Sequence, residues 1–439
     1  MLLQRPQGTW KVRMALSAPD ANPHTPGAVR LVILLAVVFF ISYVDRGTLA
    51  TAAPLIKDQL HLNSTRLGLL LSAFFWSYTL AVAPAGWLAE RYGAKPVLTG
   101  GVALWSISTL LTGLSGGLYS LFVCRLLLGI GESAAFPCVG KLLATQIGSN
   151  ARGRANGVTV LGQALGPAAG TWIGGMVAAK WGWRPMFVCF GALSLLWILP
   201  WRRTTLSAPL ATNQRATEPP VPLTMLIRER SLWGTSIGLF CANYALYFFS
   251  SWLPTYLVKV HGLSMNQMAQ TAGAIFVVWA LSAFAVGVLF DWLLRSGANR
   301  TTVSKALLVI GCVGKVTCIT GIVLWPAALA IPLLYFNELF SGFFSPIIWS
   351  MSQTIAGPRA IGRWMGLQLM FGNVAGIIAP VVTGLAIDFT GSFAVAFWLV
   401  AAFLGIAAFA WLFLVQQVEP LQWNLEPART GIVKRTVAH

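Results

Sequence analysis

Four ionisable side chains stand inside apolar stretches in the first part of this 439-residue chain: Asp45 and Arg46, then Arg125 and Glu132. A charge at the centre of a bilayer costs about 2.5 to 3.5 kcal/mol even on a mild insertion scale, so such residues are kept for a reason. Two acids and two bases can neutralise one another and fix helix packing, but apolar side chains would do that more cheaply. Their types suggest chemistry with an anion and a proton. A guanidinium grips a carboxylate through two parallel hydrogen bonds and never loses its charge. A carboxylate in a low-dielectric cavity can take up and release a proton. Protonating it would free its arginine to hold the anion, which links the two movements. Arg125 and Glu132 are seven apart, hence on one helix face and about 10.5 Å apart along its axis. Asp45 and Arg46 are adjacent, point about 100° apart and can address different partners.

The elements that must hold these residues follow from composition. Hydrophobic residues make up 56% of the chain and charged residues 10%, against about 25% charged in a soluble domain. Such a chain cannot cover a water-facing surface. Many apolar runs are about 20 residues long, enough to cross a hydrocarbon core of about 30 Å. None alternates as a barrel strand would, so the spans are helices. The pattern predicts twelve, at 31–54, 66–89, 97–117, 119–144, 155–179, 185–200, 232–257, 268–293, 303–325, 327–352, 364–387 and 393–415. The apolar start resembles a signal peptide but runs straight into Tyr43, Asp45 and Arg46, so it is kept as the first span. Residues 201–231 hold Arg202, Arg203, Arg215, Arg228, Arg230, Pro219, Pro220 and Pro222, and read as a linker between six-helix halves at 31–200 and 232–415. Residues 1–30 and 416–439 read as tails. The net charge of +18 forms no groove-sized cluster suited to nucleic acid. About 22 of the 30 Lys and Arg residues fall on the side of the termini and about five on the other, which places both tails and the linker in the cytoplasm.

The halves echo each other. Gly86-x-x-x-Glu90 recurs as Gly287-x-x-x-Asp291, Arg154-x-x-Gly157 as Arg363-x-x-Gly366, and Gly162-Gln163-x-x-Gly166 as Gly372-Asn373-x-x-Gly376. Offsets of about 200 to 210 residues describe a parallel repeat, in which a substrate sits near the midplane between halves.

The segment Gly86-Trp-Leu-Ala-Glu90-Arg91-Tyr-Gly93-Ala-Lys95 resembles the cytoplasmic loop signature of the major facilitator superfamily, with Glu where Asp is usual. That implies a gating element without ligand contact, formed by Gly86, Glu90, Arg91, Gly93 and Lys95. Tyr43-Val-Asp45-Arg46, Arg125-x-x-x-Gly129-x-x-Glu132-x-x-x-Phe136-Pro137, the Ser72 to Tyr78 run and Trp252-Leu-Pro-Thr-Tyr256 look like the anion:cation symporter family. Its members import galactonate, glucarate, hexuronate, tartrate and phthalate into bacteria, or carry sialic acid and glutamate in animal vesicles. The resemblance spans about 31 to 415 and is looser in the second half. It implies proton-coupled import of an organic anion, a sugar acid foremost, across a bacterial inner membrane. Asp45 and Glu132 would be the protonation sites, and Arg46, Arg125, Tyr43, Tyr78 and Gln163 the substrate contacts. Asn373, the repeat counterpart of Gln163, would approach from the opposite half.

Trp349, Ser345 and Ser350 in the tenth span are weaker pocket candidates, as are Asn243 and Tyr244 in the seventh. Glu338 and Lys315 are expected to pair structurally across the ninth and tenth spans. The six cysteines lack metal or redox spacing and read as buried small hydrophobes; the four histidines lie in tails or loops. No phosphate loop, metal cluster or nucleophile elbow marks an enzyme. The expected protein is a monomer without cofactor or metal, whose partners are a small organic anion, protons and lipid. A multidrug or metabolite exporter would carry a more apolar cavity, and a transporter-derived sensor an added domain; sodium could replace the proton. Reporter fusions after Arg203 and after Arg435 are expected to score cytoplasmic, and an external signal at either would overturn the even number of spans.

Overall fold

Apolar runs with polar ends become helices throughout the computed structural model, which describes residues 26–147, 149–206 and 221–423. The first half holds α1 (Pro26–Gln59), α2 (Ser64–Tyr92), α3 (Ala94–Gly113), α4 (Leu118–Glu132), α5 (Ala135–Gln146), α6 (Ser149–Trp181), α7 (Trp183–Leu196) and α8 (Ile198–Arg202). The second holds the short α9 (Leu223–Leu226), then α10 (Arg230–Lys259), α11 (Met265–Arg295), α12 (Arg300–Leu324), α13 (Ala330–Ser341), α14 (Ser345–Thr390) and α15 (Ala394–Phe409). Most of the expected tails and the centre of the expected linker, including Arg215, Pro219 and Pro220, lie outside the described residues, as does the Arg154 side chain.

The fourth expected span is interrupted, and the tenth and eleventh run together across a kink, each for a local reason. α4 and α5 form one span, broken at Ser133–Ala134. Pro137 has no amide to give the Ser133 carbonyl, so the helix loosens directly after Glu132. α14 changes direction at Gly357, whose φ of 64° is left-handed and open to glycine without strain. Its first segment completes the tenth span, which α13 begins, and its second is the eleventh. Among the described residues, ten spans are long and apolar enough to cross a membrane by length and composition alone. α6 and α10 are as long, at 33 and 30 residues, but more polar. They carry Gln163 and Asn243, which suits helices that face an interior pathway rather than lipid.

The internal repeat is visible in the packing. A Cβ on Gly162 would lie 2.3 Å from the Ala36 carbonyl of α1, and one on Gly372 2.8 Å from Leu239 of α10. The same small residues thus let α6 approach α1 and α14 approach α10. Between halves, α2 meets α14 and α6 meets α11. A Cβ on Gly68 would fall 2.3 Å from the Pro380 carbonyl, and one on Gly175 2.3 Å from Ala269.

The hydrogen bonds that join the halves among the described residues lie at the helix ends away from the termini, here the far side. Lys259 Nζ reaches Asp58 Oδ1 at 2.6 Å. The Asp388 carboxylate accepts from the Ser64 amide at 2.9 Å and the Thr65 amide at 2.7 Å, so the end of α14 caps the start of α2. The structure is therefore closed on the far side. Gly68→Val should disfavour this state, because the obstructing atoms are backbone. A spin-label pair at positions 66 and 389 is expected to report a longer separation in that variant than in the parent.

Candidate functional site

Close backbone contacts assemble the site. Cβ atoms at Gly129 would meet the Phe74 carbonyl of α2 at 2.4 Å, and at Gly131 the Trp105 amide of α3 at 2.8 Å. These glycines draw α4 inward and carry Glu132 towards α1. A second series on α6 does the same from the other flank: Gly166 would meet Tyr43 Cβ at 2.5 Å and Gly170 the Val44 carbonyl at 2.7 Å. Gln163 lies on the same α6 segment that packs against α1, and both it and Tyr43 are half-buried.

At the centre, Arg46 Nε donates to Glu132 Oε2 at 2.8 Å. The Ser42 hydroxyl donates to the same oxygen at 2.8 Å. The guanidinium lies over the rings of Tyr43, Phe74 and Tyr78 at 4.7, 4.8 and 4.8 Å, a cation–π arrangement that holds it in place. Glu132 is fully buried, whereas the Arg46 side chain keeps 18% exposure. Glu132 Oε1 and Arg46 Nη2 have no hydrogen-bond partner in the protein. One side of each charged group is thus engaged and the other is not.

Asp45 and Arg125 form the neighbouring group. Both are buried, and they lie within electrostatic reach of each other, with Thr109 of α3 beside the carboxylate. Neither Asp45 oxygen is hydrogen-bonded, nor are Arg125 Nε and Nη2. Arg125 rests over the Phe187 ring at 5.1 Å. The adjacent residues Asp45 and Arg46 do address different partners.

From the second half, Asn373 accepts a hydrogen bond from the Tyr247 hydroxyl at 3.1 Å, and Asn243 donates to the Gly372 carbonyl at 3.1 Å. Tyr247 packs at a tilt against Phe75 of α2 with ring centroids 4.4 Å apart, in the neighbourhood of Arg46, Tyr43 and Tyr78. The sequence reading missed Tyr247 and favoured Tyr244. Tyr244 is buried against Phe403 at 4.1 Å and belongs to the core. The signal was there: α10 must turn Asn243 inward, and a residue one turn further on shares that face. Trp349 and Ser345 are half-buried on α14, and no hydrogen bond or ring contact joins them to the charged group among the described residues. Ser350 accepts from Arg300 Nη1 at 3.2 Å.

The remaining charges lie elsewhere. Lys315 pairs with Glu338 at 3.4 Å, hydrogen-bonds Ser341 and lies 4.9 Å over Phe249; Asn337 donates to the same Glu338 oxygen. In the loop signature, Gly93 has φ +93° and joins α2 to α3. Gly86 packs near Pro137, and Arg91 lies over Trp87 and Tyr92. Lys95 Nζ reaches the Thr204 carbonyl at 2.5 Å, a tie within the first half. Glu90 is exposed and makes no ion pair across the halves among the described residues. Five cysteines are buried as expected, but Cys189 is exposed on the outer face of α7. No three metal-ligating residues cluster among those described.

The sequence matches the pattern of the Major Facilitator Superfamily over residues 35–371. The chain belongs to that superfamily. It is a multi-pass membrane transporter and not an enzyme. It is 29% identical over 402 residues to the hexuronate transporter of Bacillus subtilis (strain 168), covering 89% of this chain and 94% of that one. It is 30% identical over 433 residues to the D-galactonate transporter of Escherichia coli O6:H1, covering 91% and 98%. It is 30% identical over 399 residues to a probable sulfoacetate transporter of Cupriavidus necator, covering 87% and 92%. Among solved structures, a bacterial homologue of the human lysosomal transporter Spinster, inward-facing and occupied, superposes with a TM-score of 0.75 at 19% identity, over 89% of this chain and 97% of that one. A D-xylose–proton symporter gives 0.71 at 16% identity, over 89% and 98%. At those identities the structures show the shared fold alone.

Breaking a buried pair by removing one partner costs about 3 to 5 kcal/mol, because the other charge stays behind. Glu132→Ala should therefore lower the unfolding midpoint of the purified transporter well below that of Glu132→Gln, which keeps an acceptor for Arg46 and Ser42. Scanning fluorimetry of both variants in one detergent is the measurement, and equal midpoints would deny the pair a structural role.

Proposed function

We propose that this transporter imports a small organic anion, foremost a sugar acid, together with protons, across a bacterial inner membrane with both termini in the cytoplasm. The observation that carries the reading is the half-engaged pair in the first half: Arg46 bound to Glu132 by one nitrogen, with Nη2 and Glu132 Oε1 unbonded. A carboxylate-bearing solute offers Arg46 what Glu132 now offers. When a proton arrives on Glu132, its charge is lost and the guanidinium turns to the solute. When the solute leaves, Arg46 recaptures Glu132 and the proton departs. Asp45 and Arg125, buried beside it without a direct ion pair, give a second protonatable position and a second guanidinium.

Tyr43, Tyr78 and Gln163 line the solute's path from the first half, and Asn373, with Tyr247, from the second. Neutral hydrogen-bonding groups of this kind suit the hydroxyls of a sugar acid. The hexuronate and galactonate transporters among the relatives favour that class; the sulfoacetate relative favours a compact anion, which makes it the arm to screen beside sugar acids. The orientation rests on the far-side helix ends, which carry only Lys57, Arg66, Lys180, Arg184 and Lys259, against the many cations at the terminal ends. In that orientation the closed far side is the external one, and Gly86, Glu90, Arg91, Gly93 and Lys95 would serve as the latch of the opposite state.

Uptake into proteoliposomes tests the coupling. Glu132→Gln should still exchange solute at equal pH and lose at least tenfold in accumulation driven by a pH gradient, because the proton can no longer leave. Asp45→Asn should impair accumulation likewise. Full accumulation by the double variant would move coupling to another carboxylate. Arg46→Lys and Arg125→Lys should each weaken solute binding at least tenfold, since lysine lacks the planar fork; unchanged affinity in both would remove them from the binding site.

A further inference from the structure

On the terminal side of the first half, away from the transport pathway, an open surface cavity of about 430 Å³, lined by exposed residues, lies between the start of α1 and the end of α8. Its lining is Arg30, Leu199, Pro200, Arg202 and Arg203. Three guanidiniums from chain segments about 170 residues apart thus converge on one space, with no carboxylate in its wall. Among the described residues none of the three has an ion-pair partner; Arg30 Nη2 only donates to the Pro200 carbonyl at 3.1 Å. Like charges held together in this way repel, and a multivalent anion is what would relieve the repulsion.

The cavity is held in shape. Trp197 and Trp201 stack with centroids 4.9 Å apart. The first donates to the Leu34 carbonyl of α1 at 3.0 Å and the second to Thr99 of α3 at 2.9 Å. Lys95 holds the end of α8 through the Thr204 carbonyl. The arginines therefore project from a fixed frame rather than from a loose tail.

Its apolar surroundings distinguish the occupant. Val29 and Ile33 on α1 and Leu193, Leu196 and Leu199 on α7 and α8 are exposed, between 45% and 60%. On a membrane-spanning bundle such a surface faces acyl chains, and it leads straight into the arginine cavity. Basic pockets between spans at the membrane surface hold phosphate-bearing lipid headgroups. We propose that this cavity binds the headgroup of an anionic phospholipid, with its phosphate among Arg30, Arg202 and Arg203 and its acyl chains along the exposed faces of α1 and α7. The bound lipid would clamp the first span to the sixth. The inference does not depend on which solute is carried.

The test uses the full-length purified transporter and scanning fluorimetry in mixed micelles. Dioleoylphosphatidylglycerol should raise the unfolding midpoint by several degrees, whereas dioleoylphosphatidylcholine and inorganic phosphate should not. The Arg30→Gln, Arg202→Gln, Arg203→Gln triple variant should lose that rise. A control triple variant, Arg228→Gln, Arg230→Gln, Arg295→Gln, removes equal charge from the same side and should keep it. A rise with phosphatidylcholine equal to that with phosphatidylglycerol would overturn the headgroup assignment, as would a rise with phosphate alone, which would mark a free-anion site. An undiminished rise in the site variant, or an equal loss in the control, would overturn the location. Should the triple site variant not survive purification, Arg30→Gln and Arg203→Gln singly should each weaken phosphatidylglycerol binding about threefold, and unchanged binding in both would count against the site.

Discussion

A charge buried between helices must find a partner inside the protein, because lipid offers none. The two halves of this transporter meet that constraint differently. In the second half, Lys315 has Glu338, Ser341 and the face of Phe249, and Glu338 has Asn337 as a second donor. That group is largely satisfied and acts as packing. In the first half, four charged groups share one direct ion pair among the described residues, and both Asp45 oxygens and two Arg125 nitrogens are left without a hydrogen bond. A network left partly open in a low-dielectric interior is costly. On the proposed function, a solute and a proton would substitute there for the missing partners.

Glycine sets the distances that make this possible. Where α1 meets α6 and where α4 meets α2 and α3, the contact is backbone to backbone, so Arg46 and Glu132 are held by main-chain geometry rather than by the chance of side-chain packing. The same device recurs at the seam between halves, at Gly68 and Gly384 against Pro380 and Ser64. Inside each half glycine fixes the site; between halves it permits close approach that contains no bulky interlock and can be undone.

What the sequence made legible follows from these forces. Hydropathy reads lipid-facing surface, so the twelve helices could be placed to within a few residues, and an ionised side chain in an apolar run announces itself. Partners remote in sequence have no such signature. Nothing in local spacing says that Phe75 meets Tyr247, or that Arg46 lies among Tyr43, Phe74 and Tyr78. Tyr244 and Tyr247 are equivalent in composition and differ only in the direction α10 turns. Asp388 escaped notice because it sits at a helix end, where a carboxylate costs little. The interruption after Glu132 was written in Pro137, but a proline in a long apolar run can equally be absorbed as a mild kink.

The contact between Asp388 and the start of α2 has a kinetic meaning. The exposed amides of a helix start are half-charged positive, and α2 already has its own N-cap in Asn63. Asp388 adds a second cap lent by the other half, which is withdrawn whenever the halves part. Water can take its place at the membrane surface, so the bond is worth about 1 kcal/mol rather than the several that a buried pair would command. On that scale it lengthens the dwell of the closed state about fivefold and no more. This contact is thus weak enough to break on thermal energy, and salt on the far side, by screening it, would weaken it further.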